Sequence, residues 1–132
     1  MELPAIASKL DGGIGLALES AEDGIATLRL EPGELAIVVE DERTYLHGGT
    51  LATCIDTAAW YAAASASPAD WLVSSLQLEA LRLARPEPHR VIARCIRAGR
   101  TRAVVDVEIA SEVDPERIVS VGRVSLARPA SA

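Results

Sequence analysis

The sequence predicts an α+β domain in which a curved antiparallel sheet encloses a single long helix. Three observations carry that expectation. From Gly48 to about Ser67 the chain runs through Ala, Leu, Ile, Thr, Trp and Tyr with one charged residue, Asp56, and no proline until Pro68. Good helix formers that are apolar or small on every side read as a helix surrounded by protein. Segments of strand-like alternation stand before and after it, in meander order. Finally, 132 residues at 49% hydrophobic content suit one domain with one core, spanning 1–132, and leave no room for a second catalytic domain.

The elements follow in order. Residues 3–10 read as a short helix or irregular lead-in, ended by the turn signal Asp11-Gly12-Gly13, so 1–12 is a lead-in segment. Ile14–Glu19 and Ile25–Leu30, joined through Glu22-Asp23-Gly24, have the spacing of an antiparallel hairpin. Glu31-Pro32-Gly33 breaks the pair. Leu35–Val39 continues the strand or crosses to another, and Glu40-Asp41-Glu42 leads into a loop. After the helix, Leu72–Leu83, Arg90–Arg97, Arg102–Ala110 and Ile118–Leu126 alternate or carry β-branched residues. Pro86-Glu87-Pro88, Ala98-Gly99-Arg100 and Val113-Asp114-Pro115-Glu116 separate them, and 128–132 reads as a frayed tail.

Composition excludes several classes of function. Aromatics make up only 3% of the chain and Phe is absent, so recognition of RNA by stacking has few parts. A net charge of -6 supplies no field for DNA or an anionic membrane, and neither nucleic acid nor membrane is an expected partner. Arginines crowd residues 82–102, either as a phosphate-facing edge or as a solvated strand face. Cys54 and Cys95 read as two buried thiols rather than a disulfide, the start of the chain carries no targeting pattern, and a cytoplasmic location is expected. Two histidines and no Cys/His cluster argue against a metal site.

The informative stretch is His47-Gly48-Gly49-Thr50 through Ile55-Asp56-Thr57-Ala58. Paired glycines at a helix N-terminus leave backbone N–H groups open to a ligand, and the helix dipole favours developing negative charge there. Equally, they ease a tight entry to the helix. Asp56 is harder to explain structurally. No basic residue lies between Gly48 and Asp70, and a buried, unpaired carboxylate costs several kcal/mol or binds a proton more tightly. A nucleophile or general base accounts for it, with Thr53 and Trp60 sharing its helix face. Eight residues of helix place Gly48 and Asp56 about 12 Å apart, too far to grip one carbonyl. If both act together they come from two chains, which predicts a homodimer.

These residues resemble the hotdog-fold acyl-CoA thioesterases of the 4-hydroxybenzoyl-CoA thioesterase superfamily, especially the PaaI-type branch. Leu46-His47-Gly48-Gly49 followed by Asp56 is similar to the family signature, Leu76–Arg82 resembles its strand after the helix, and Ala98–Glu108 its Gly-Arg hairpin. The likeness spans about residues 13–127. It implies a hotdog fold and hydrolysis of an acyl-CoA thioester, with the Gly48 N–H of a neighbouring subunit on the thioester oxygen and Asp56 as nucleophile or general base. It also implies a hydroxyl, Ser74, on the attacking water or the carboxylate. His47 and Gly49 belong to the same motif as substrate-side residues, His47 ordering the loop. Trp60 lines the pocket or fills the core, and Arg82 and Arg100 are candidates for the coenzyme A phosphates. Coenzyme A is then substrate, with no resident cofactor, and the resemblance extends the dimer to a dimer of dimers.

Two departures stand out. Asp41 occupies the position where the family often has an Asn, and a second acid there would repel substrate or raise the proton affinity of Asp56. Leu83 replaces the usual proline. The competing reading is a hotdog dimer that binds acyl-CoA or another small ligand without hydrolysing it; Asp41 favours that reading and Asp56 the enzyme. Hydration of acyl-CoA ranks last, since no Asp/His pair is placed for it.

Overall fold

The computed structural model describes residues 2–129. Its first helix, α1 (Lys9–Ile14), runs through the Asp11-Gly12-Gly13 stretch expected to be a turn. Ser8 caps it, accepting the Asp11 N–H at 3.2 Å. The turn comes later, at Gly15 (φ 93°), where a Cβ would lie 1.8 Å from the Glu31 carbonyl oxygen. Only glycine fits there. The expected hairpin follows as β1 (Leu16–Glu22) and β2 (Ile25–Leu30), turning at Asp23 and Gly24, both with positive φ.

Residues 34–46 depart from expectation. A 3-10 turn (Glu34–Ala36) leads into β3 (Ile37–Glu40), which pairs with β4 (Arg43–Leu46). The acidic stretch is thus the tip of a second hairpin rather than the start of a loop. Asp41 takes a φ of 48°, a conformation that Asp and Asn tolerate better than most residues.

Helix α2 (Gly48–Ala66) matches the expected span. Beyond it, β5 (Leu72–Ala80), β6 (His89–Ala98), β7 (Arg102–Ser111) and β8 (Ile118–Ala127) complete an antiparallel sheet of order β1-β2-β6-β7-β8-β5. The helix lies across one face of that sheet, and Leu28, Val91, Val105, Val124 and Leu126 meet Ile55, Ala58 and Ala62 in one core. Burial of each larger aliphatic side chain contributes about 1.5–3 kcal/mol. Gly122 on β8 sets the approach: a Cβ there would stand 2.9 Å from two Ile55 carbons and 2.8 Å from the Gln77 carbonyl oxygen.

Enclosure of α2 is incomplete, which corrects the expectation of a helix buried all round. The sheet covers one side, while Ala52, Thr53, Asp56 and Trp60 form a stripe that it does not reach. Both cysteines are free, and burial pushes the Cys54 thiol up to about 12. Arg128, expected in a frayed tail, is tied down: its N–H bonds to Thr101 O at 2.9 Å and its guanidinium lies over the Trp71 ring. Residues 130–132 of that expected tail lie outside the described residues. No helix among the described residues is long and apolar enough to cross a membrane.

Candidate active site

The start of α2 is built by His47. Its extended backbone (φ -61°, ψ 141°) turns its carbonyl toward the Thr50 and Leu51 N–H groups, at 2.9 and 3.3 Å. The ring Nδ1 accepts the Gly49 N–H at 2.8 Å. Of the four N–H groups that a helix start leaves open, those of Gly49 and Thr50 are thereby satisfied, and His47's own donates to the Ala36 carbonyl oxygen at 2.9 Å. The fourth, on Gly48, has no partner among the described residues.

The two glycines have different physical reasons. A Cβ on Gly49 would sit 2.9 Å from His47 Nδ1, so that glycine permits the cap. At Gly48 a Cβ would meet nothing within 4 Å, and its φ is not in the left-handed region. The easy-entry reading therefore holds for Gly49 and not for Gly48.

Two turns along the helix, a cleft of about 490 Å³ opens against the uncovered stripe. Thr53, Asp56, Thr57 and Trp60 line it from α2, Ser8, Leu10 and Asp11 from the lead-in and α1, and Leu76 from β5. Asp56 is exposed to this cleft rather than buried, because it stands on the stripe that the sheet leaves open. The cleft walls still strip away part of its water, and this desolvation raises its proton affinity; the negative charge of Asp11 raises it further. No Lys, Arg or His lines the cleft, and Asp56 joins no ion pair among the described residues. Thr53 donates its hydroxyl to Gly49 O at 2.9 Å, and Trp60 packs edge-on to Tyr61 with ring centroids 5.3 Å apart.

Asp11 is the residue that sequence reasoning missed. It is buried, and accepts the Ser8 hydroxyl at 2.6 Å and the Thr57 hydroxyl, 46 residues away, at 2.6 Å. The spacing of Ser8 and Asp11, three apart at a helix start, is a capping signal; the adjacent glycines draw the eye to a turn instead.

Other candidates lie elsewhere in this chain. Ser74 occupies a bulge in β5, where the register shifts between Val73 and Ser75, and its hydroxyl donates to Ser125 O at 3.0 Å. Asp41 is at the tip of the β3–β4 hairpin, outside the cleft lining. Arg82 follows β5 and donates to Ile118 O; Arg100 is exposed in the β6–β7 turn. Register puts those arginines at opposite ends of the sheet: Ala80 pairs with Ser120 and Ser120 with Ile109, seven residues along β7 from Arg102. At ~3.4 Å per residue that is about 24 Å.

Residues 43–118, from β4 into β8, match the thioesterase superfamily and include His47, Gly48 and Asp56. The chain belongs to that superfamily. Its fold is the hotdog fold, shared with the Escherichia coli PaaI protein from the phenylacetic acid degradation operon (TM-score 0.81, 20% identity, covering 96% of this chain and 88% of that one). A Staphylococcus aureus thioesterase is similar (0.79, 22% identity, 92% and 100% covered). So is a Streptococcus mutans protein solved bound to acetyl-CoA (0.76, 19% identity, 88% and 90% covered). At these identities the likeness establishes the fold. No curated protein sequence matches the chain. Asp11 falls outside the matched span, whereas Gly48 and Asp56 lie within it.

Proposed function

We propose that the protein hydrolyses acyl-CoA thioesters to a free acid and coenzyme A, as a homodimer whose two sites each draw on both chains. The observation that carries this reading is the pair of features on α2: at exposed Gly48 an N–H with no partner among the described residues, and eight residues later a partly desolvated carboxylate with no cation in its cleft. Superfamily membership and the acetyl-CoA held by the Streptococcus mutans protein support the substrate class.

The steps balance without a metal or resident cofactor. The Gly48 N–H of the partner chain donates to the thioester oxygen, which gains charge as the carbonyl carbon is attacked. As general base, Asp56 takes a proton from water while the water oxygen bonds to that carbon. Collapse of the adduct breaks the C–S bond, and the coenzyme A thiolate takes the proton from Asp56. As nucleophile, Asp56 attacks the carbon itself and the C–S bond breaks, expelling the coenzyme A thiolate; water then adds to the mixed anhydride, the free acid leaves with the Asp56 carboxylate restored, and the remaining proton goes to the thiolate. A single turnover in ¹⁸O-water separates the routes, since only the nucleophile route can put an enzyme oxygen into the product. In this reading Trp60 lines the acyl side, and His47 with Gly49 holds the loop that presents Gly48. Ser74 serves the attacking water, and arginines such as Arg82 or Arg100 meet the coenzyme A phosphates. The dimer follows from the ~12 Å between Gly48 and Asp56 along one helix, and a dimer of dimers is its extension.

Thiol release measured over short, medium, long and aryl acyl-CoAs tests the proposal. Wild type turns over at least one class, and Asp56→Asn folds but loses about 10²–10⁴-fold in kcat. Tight acyl-CoA binding with no thiol release from any chain overturns hydrolysis in favour of a binding protein.

A further inference from the structure

Asp56 does not stand alone in its cleft. A second carboxylate, Asp11, lines the same cleft from α1, bonded through its Oδ1 to the hydroxyl of Thr57, the chain neighbour of Asp56. We propose that Asp11 is a positioning residue for Asp56: anchored by Ser8 and Thr57, it sets a second, fixed carboxylate in the wall of the same cleft and holds the helix turn that carries Asp56. This deepens the hydrolytic reading, and its kinetic consequence rests on that reading.

The geometry specifies a fixed group. Ser8 Oγ receives the Asp11 N–H at 3.2 Å, which turns its own hydroxyl proton toward Asp11 Oδ2 at 2.6 Å. Thr57 donates to the other oxygen at 2.6 Å. Both carboxylate oxygens thus accept from hydroxyls. Asp11 is only 4% exposed, so water screens it poorly, and it joins no ion pair among the described residues. Two hydroxyls satisfy its hydrogen bonds without cancelling its charge. That charge reaches Asp56 and Tyr61, where desolvation is the larger effect and Asp11 adds to it, and it acts in the same sense on Cys54.

The groups facing Asp56 are few. The lead-in side offers Asp11 and Ser8, the helix Thr53 and Thr57, and the sheet only Leu76. With no cation among the described residues that line it, the cleft sets one other carboxylate, Asp11, against Asp56, and its charge adds to the effect of desolvation. A base must be ionised to act yet basic enough to pull a proton. Asp11 moves Asp56 toward the second requirement, at the cost of activity in acid.

The test has two arms, run on full-length Asp11→Asn. Titration of the Asp56 carboxyl carbon by ¹³C NMR, assigned with Asp56→Asn, should move to lower pH than in wild type. The acid limb of kcat/KM against pH should move the same way while KM for the acyl-CoA stays in place. An unmoved carboxyl titration in a folded variant overturns the proposal, whatever the enzyme does. A moved titration, where wild type itself releases no thiol from any acyl-CoA, supports the electrostatic link and overturns the hydrolytic reading instead. Should Asp11→Asn fail to fold, Asp11→Ser, uncharged and still carrying a hydroxyl toward Thr57, takes its place with the same two outcomes.

Discussion

Position 48 carries a glycine that nothing in its own chain requires: its backbone is ordinary and the space beside it is empty. Its N–H is nonetheless the one left open at the helix start among the described residues. Proline offers a sharper test than alanine. Gly48 is the first residue of α2, where proline is well tolerated, and His47 at φ -61° and ψ 141° already has the backbone that a following proline demands. Gly48→Pro therefore deletes the N–H while keeping the helix. Thermal unfolding should match or exceed wild type, and kcat for thiol release should fall about 10²–10³-fold, as when an oxyanion donor is removed. Full turnover in a folded Gly48→Pro protein would exclude this N–H from the chemistry. Gly49 supplies the contrast, since its bond to His47 builds the cap rather than the site.

Among the elements, packing of α2 on the sheet turns on one small residue. Gly122 faces Ile55, and the atoms that a Cβ would strike include the Gln77 backbone oxygen, which cannot swing aside. Gly122→Ala should lower stability by about 1–3 kcal/mol, read as a fall in the urea midpoint without a change of slope. Ile55→Ala should cost less in that background than in wild type, because the two positions share the clash. The same contrast between local and long-range causes explains what could be read from sequence. Helix α2 and strands β5–β8 announce themselves, since twenty residues without proline and four alternating runs are properties of contiguous chain. Helix α1 does not, because Asp11-Gly12-Gly13 is held helical by Ser8 on one side and by Thr57, 46 residues distant, on the other. The β3–β4 hairpin was hidden by its tip, where an acidic run reads as solvated loop until Asp41 is seen to take a left-handed turn. Asp56 was legible as an anomaly but not as exposed: which stripe of an apolar helix the sheet leaves open depends on strand order, and strand order is not written in any one segment.

At the scale of the whole molecule, the proposed chemistry needs more than one chain, and that need can be tested without seeing the interface. β5 is an edge of the sheet, and the Asp56 cleft is open along α2; in the proposed reading each chain lends the donor at its helix start to one site and the base about two turns along to the other. In a two-fold dimer, each site would take Gly48 from one chain and Asp56 from the other. Two inactive variants then complement each other. Gly48→Pro supplies an intact Asp56, Asp56→Asn supplies an intact Gly48, and a mixed dimer regains one working site out of two. Random reassortment of equal amounts makes half of the dimers mixed, so the mixture should recover about a quarter of the wild-type rate. Co-expression with two different affinity tags, followed by sequential purification, isolates the mixed dimer, which should reach about half. Recovery at that level places the N–H and the carboxylate of one site on different chains. A mixed dimer as inactive as its parents, with both variants folded and dimeric, would mean that each chain uses its own pair. The ~12 Å helix separation would then have to be bridged by something other than a single thioester carbonyl.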